Sequence, residues 1–135
     1  MRILVPLDGS PLSERALDVT KTLAQALRAE VVLFTVSETA ETSRHAEQIR
    51  ADTEEQLGRA AAKLGDITVH RRVDTGGEPA RGILEAVRDL EADHIVMTTH
   101  GRSGLTRLAQ GSVAEEVLRE APVPVTMIRP ADDGA

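Results

Sequence analysis

Ile95-Val96-Met97-Thr98-Thr99-His100-Gly101-Arg102-Ser103-Gly104-Leu105-Thr106-Arg107-Leu108-Ala109-Gln110-Gly111-Ser112 runs from an apolar, strand-like start into the helical pattern Val113 to Arg119. A glycine-bearing connection from a buried strand to a helix is where an open α/β sheet offers backbone N–H groups to anions. Gly101, Gly104 and Gly111 let the backbone approach a ligand closely. Thr106 and Ser112 add hydroxyls, and Arg102 and Arg107 add positive charge. The segment reads either as a phosphate cradle or as a plain surface loop.

Outward from this stretch, strand-like and helix-like patterns alternate. Ile3 to Leu7 is a continuous apolar run, as expected of a strand buried on both faces. Ser10-Pro11 supplies an N-cap followed by proline at the first helical position. Ala16, Leu17, Thr20, Leu23, Ala24 and Leu27 then predict one helix to about Ala29. Val31 to Val36 is a second strand. A long helix over about Thr42 to Leu64 places Ala46, Ile49, Thr53, Leu57, Ala60, Ala61 and Leu64 on its inner face and charges on its outer face. Ile67 to Val73 alternates as a wetter strand would, and Thr75-Gly76-Gly77-Glu78-Pro79 turns into a helix carrying Ile83, Leu84, Val87 and Leu90. After the His94–Met97 strand and the next helix, Val123 to Ile128 closes the pattern, with Pro122 and Pro124 marking a sheet edge. Residues 1–130 read as one domain, and the polar end 131–135 as a disordered tail.

This alternation predicts an α/β fold: one doubly wound five-stranded parallel sheet, strand order 3-2-1-4-5, with helices on both faces. Ligands of such sheets bind beyond the C-terminal ends of strands 1 and 4. Strand 1 ends at Asp8-Gly9-Ser10 and strand 4 at the opening stretch, so the two most unusual polar segments meet there. Asp8 could accept a hydrogen bond from a sugar hydroxyl, or it could tie down its own turn.

Composition narrows the chemistry. The 135 residues carry a formal net charge of -6, which argues against a nucleic-acid surface. Cysteine is absent, which excludes disulfides, thiolate metal sites and cysteine nucleophiles. Phe34 is the only aromatic residue, so a planar ligand must be held by aliphatic walls and backbone hydrogen bonds. No P-loop, dinucleotide fingerprint or hydrolase elbow occurs. His45 and His70 read as surface residues and His94 as structural, while His100 alone lies in the loop. Neither a leader-like run nor a membrane-length apolar run occurs, which implies a cytoplasmic location.

Ile3-Leu4-Val5-Pro6-Leu7-Asp8-Gly9-Ser10, Gly77-Glu78-Pro79, Thr99-His100-Gly101 through Gly111-Ser112, and Pro122-Val123-Pro124-Val125 together resemble the universal stress protein family along nearly the whole chain. The ATP-binding branch of that family carries Gly-x-x-Gly, nine residues, then Gly-Ser or Gly-Thr. Gly101, the nine residues Arg102 to Gln110, and Gly111-Ser112 match it, whereas Thr98 stands where the first glycine belongs. The resemblance implies that Asp8 contacts the ribose or phosphate side of a nucleotide. It implies that Val36 holds adenine through its backbone, that Pro6 lines the base pocket, and that Gly101, Gly111, Ser112 and Val113 surround the phosphates. Thr98, His100, Arg102 and Gly104 complete the expected site. If position 98 needs positive φ, threonine costs about 1–3 kcal/mol there; in an extended strand threonine is compatible, and only close approach of the backbone to a ligand is lost.

The function so implied is an adenine-nucleotide-binding regulatory protein of the stress response, taking ATP with or without Mg2+ and dimerising through Val123–Ile128. Any turnover should be slow, because no arginine finger, catalytic base or P-loop lysine is evident. The alternative is a dimeric interaction protein of the same fold that binds no nucleotide.

Overall fold

The computed structural model describes residues 1–99 and 107–129, with the side chains of Leu12 and of residues 107–112 outside that description. The elements are β1 (Arg2–Pro6), α1 (Pro11–Glu14), α2 (Ala16–Leu27), β2 (Glu30–Ser37), α3 (Ser43–Ala62), β3 (Val69–Thr75), α4 (Pro79–Asp89), β4 (His94–Thr98), α5 (Arg107–Glu120) and β5 (Val125–Ile128). The sheet is five-stranded in the order β3-β2-β1-β4-β5, and all its pairings are parallel. This is the doubly wound topology that the alternation predicts.

Successive strand residues point to opposite faces, and the core divides accordingly. Ile3, Val5, Leu7, Val31 and Leu33 pack with Leu17 and Ala24 of α2 and with Leu57 and Ala60 of α3. Leu4, Val32 and Phe34 pack on the other face with Ile83 and Val87 of α4 and with Ala114 and Val117 of α5. Burial on both faces explains why strands 1 and 2 read as unbroken apolar runs.

Three local differences from the sequence pattern have physical causes. The first helix is divided at Arg15, whose backbone is still helical (φ -64°, ψ -24°), so α1 is a single turn capped by Ser10. Ser13 N–H donates to Ser10 Oγ at 3.0 Å, as expected of that cap. Along α3 only Leu57 and Ala60 are buried; Ala46 is exposed, and Ile49 and Thr53 are half-buried. Finally, α5 begins at Arg107 rather than Val113, which places Gly111 and Ser112 inside a helix. Leu108, Ala109 and Gln110 are strong helix formers, and one interior glycine costs only about 1 kcal/mol.

Polar contacts fix the edges. Arg72 of β3 lies 3.0 Å from Asp74 and 3.0 Å from Asp89 of α4, and the hydrogen bond to Asp74 is the main cause that raises its pKa. His94 Nε2 and Thr126 Oγ1, 2.7 Å apart, join β4 to β5, the structural role expected of that histidine. Pro122 and Pro124 precede the edge strand β5 rather than interrupting it. Residues 131–135, read as a tail, lie with Pro130 outside the described residues.

Candidate functional site

Proline at position 6 opens the sheet. Leu7 N–H donates to Phe34 O and Asp93 N–H donates to Arg2 O, so odd residues of β1 address β2 and even ones address β4. Pro6 is even and has no N–H to give. Pairing of β1 with β4 is limited to Ile3↔His94 and Leu4↔Ile95, whereas pairing with β2 extends to Pro6↔Phe34. The two strands part at this switch point, and a crevice forms between them.

The same parity argument applies to β2. Val31 N–H donates to Thr68 O, and Ser37 O accepts from Gly76 N–H, so odd residues face β3. Glu30 N–H donates to Met1 O, so even residues face β1. Val36 therefore turns its N–H and C=O toward β1, beyond the last paired residue of that strand. One donor and one acceptor on a single residue face the crevice.

The crevice continues into a cavity of about 980 Å3 at the C-terminal edge of the sheet. Asp8 forms part of its floor and is held by its own turn. Its Oδ1 accepts from Ser10 N–H at 2.9 Å and from Ser10 Oγ at 2.6 Å. The structural role considered for Asp8 thus uses one carboxylate oxygen, and Oδ2 has no hydrogen-bond partner among the described residues.

One wall belongs to α3, where His45, Gln48, Ile49, Asp52, Thr53 and Gln56 all line the cavity. Their spacing puts them on one helical stripe. A helix packed on a core would have apolar residues at these positions, and here only Ile49 is. Thr42 caps this helix by accepting from His45 N–H at 3.0 Å. On the opposite wall stand Pro79, Ala80 and Ile83 of α4 with Val113 and Glu116 of α5. The described lining includes five carboxylates, Asp8, Glu38, Asp52, Glu78 and Glu116, against a single basic side chain, His45. Among the described residues, no group of three His, Cys, Asp or Glu is arranged to hold a metal ion.

The chain matches the sequence profile of the universal stress protein family over residues 1–129. It belongs to that family. A universal stress protein of Methanocaldococcus jannaschii, MJ0531, is 32% identical over 139 residues, covering 95% of this chain and 81% of the relative. Among solved structures, the hypothetical protein MJ0577 superposes with a TM-score of 0.84 at 24% identity, over 97% of this chain and 96% of that one. A universal stress protein in complex with cAMP gives 0.74 at 23% identity, over 97% and 98% of the two chains. One from Archaeoglobus fulgidus in complex with dAMP gives 0.71 at 23% identity, over 95% and 97%. At these identities the three structures share the fold.

Of the positions that the family pattern singles out, Pro6, Asp8, Val36, Thr98 and Val113 come together around the cavity. Gly111 and Ser112 lie in α5 immediately before Val113. His100, Gly101, Arg102 and Gly104 lie outside the described residues. Thr98 is buried at 8% exposure and pairs with Ile128 in β4–β5. Positive φ at non-glycine residues occurs only at Arg28 and Glu91 among the described residues, so Thr98 sits in strand geometry without strain. The α3 stripe is what sequence reasoning missed. Its signal was present as polar residues at positions where a helix packed on a core carries apolar ones.

Proposed function

We propose that this chain is an adenine-nucleotide-binding regulatory protein of the stress response and that its ligand is ATP, with or without Mg2+. The observation that carries this reading is the Val36 backbone pair facing the open crevice. An adenine edge presents a donor and an acceptor side by side, which suits one residue's C=O and N–H. Aliphatic walls replace aromatic stacking, consistent with a chain whose one aromatic residue, Phe34, is buried in the core. Solved relatives of the family hold cAMP and dAMP, which supports the same ligand class.

In this reading Pro6 lines the base pocket, Val36 binds adenine, and the free oxygen of Asp8 faces the ribose. Thr98, His100, Gly101, Arg102, Gly104, Gly111, Ser112 and Val113 form the phosphate end. The described lining is rich in carboxylates, so the phosphate charge must be balanced by Arg102, Arg107 or Mg2+. The protein works as a binding module with at most slow ATP turnover. The edge strand β5 serves as the dimer seam, and the location is cytoplasmic. Among the described residues no helix is long and apolar enough to cross a membrane.

The chain lacks Trp and Tyr, so any bound nucleotide dominates its ultraviolet spectrum. Protein stripped of nucleic acid, denatured and chromatographed should release an adenine nucleotide, and titration with Mg-ATP should give heat. Absence of both released nucleotide and titration heat overturns the reading. The acidic lining together with threonine at position 98 favours a second reading, a dimeric interaction protein that ignores nucleotides. That protein would melt at the same temperature with and without ATP. Light scattering tests the dimer, and a monomer at micromolar concentration would count against it.

A further inference from the structure

We infer that Gln56 contacts the ligand directly and reads a ribose hydroxyl together with Asp8; the inference rests on the nucleotide reading above. Gln56 lies on the cavity stripe of α3, and its Nε2 is buried without a hydrogen-bond partner among the described residues. Buried side-chain amides are nearly always satisfied in folded proteins, so an unpaired one on a cavity wall calls for an explanation. Leu57, the next residue, is fully buried in the core and anchors the helix at this point. A leucine or methionine at position 56 would serve packing alone equally well.

The carboxamide sits over Gly9. A Cβ at that glycine would lie 3.4 Å from Gln56 Oε1, and Gly9 has φ +86°, so the turn after Asp8 passes closely beneath the amide. Asp8 Oδ1 is occupied by Ser10, which leaves Oδ2 as the free acceptor of a residue that lines the same cavity. Turned half-way round its last, soft torsion, the carboxamide presents this N–H group to the cavity, and with the Asp8 acceptor it fits a group that both accepts and donates. A hydroxyl does both. A phosphate would meet the Asp8 carboxylate and be repelled, and the base is placed at Val36. The remaining part of a nucleotide, its ribose, carries hydroxyls.

The test is calorimetric titration of wild-type protein and Gln56→Leu with ATP, 2′-deoxy-ATP and 3′-deoxy-ATP, alongside melting of each ligand-free protein. Wild type should bind one of the deoxy analogues about tenfold more weakly than ATP. Gln56→Leu should weaken ATP binding severalfold and reduce the discrimination, leaving the part that Asp8 supplies. Because the substitution deletes an unpaired buried amide, ligand-free Gln56→Leu should melt at the same or a higher temperature, which a merely structural glutamine would not allow. Intact discrimination in the variant, or a lower melting temperature with ATP affinity unchanged, overturns the inference and leaves the nucleotide reading standing. Absence of binding in the wild type overturns both.

Discussion

Leu7 donates its backbone N–H to the carbonyl of Phe34 at 2.8 Å, which closes the ladder between β1 and β2. Two residues further along β2, the Val36 N–H points the same way with no strand to receive it. Replacing that residue by proline removes the N–H without removing a ladder hydrogen bond. Val36→Pro is expected to weaken ATP binding at least about tenfold and to cost only about 1–2 kcal/mol of stability. Calorimetry and denaturant melts read the two effects separately. A variant that keeps full affinity would show that adenine does not use this backbone.

Thr98 departs from the family's glycine, yet its strand geometry carries no strain. Thr98→Gly should therefore gain less than about threefold in ATP affinity. It should lose about 1–2 kcal/mol, from added backbone freedom and a lost buried side chain. Paired titration and urea melts of the two proteins check this. A large gain in affinity would mean that glycine is needed there for close approach of the ligand.

The sheet was legible because each strand advertises its own burial. Ile3 to Leu7 and Val31 to Val36 are apolar on both faces only because helices cover both. The cavity wall was less legible, because a helical stripe defines a face without saying what covers it. Ala46, Ile49 and Thr53 suggested a core-facing stripe, whereas the first half of α3 overhangs a cavity and only Leu57 and Ala60 are buried. Pro6 held the most information. Its apolar neighbours mark a strand, but the consequence of its missing N–H depends on which neighbour strand the residue faces, a matter of sheet order and parity.

At the far edge of the sheet, Glu30 lies 3.0 Å from His70 and 3.5 Å from Arg2. Its pKa is lowered, chiefly by the hydrogen bond from His70 and then by Arg2. A carboxylate whose folded-state pKa is depressed stabilises the fold above its unfolded pKa, and that contribution is lost as pH falls through the folded one. Glu30→Gln should therefore flatten the acid limb of the stability curve below the usual glutamate range. The side chain is 44% exposed, so the difference should be small and should shrink in high salt. Melts of both proteins between neutral pH and pH 3, at two salt concentrations, measure it; an unchanged acid limb would dismiss the pair.

Glu116 projects from α5 into the cavity, near the end assigned to the phosphates. Its charge opposes that of ATP but acts little on neutral adenosine. Across a partly hydrated gap of several ångströms, one unit charge is worth about 0.5–1 kcal/mol against another. Glu116→Gln should tighten ATP binding about two- to fivefold and leave adenosine binding within error. Raising the salt concentration should narrow the gap between the two proteins, because screening weakens the repulsion in the wild type. Equal gains for ATP and adenosine would place the effect in packing rather than charge, and the phosphate end would have to be sought away from α5.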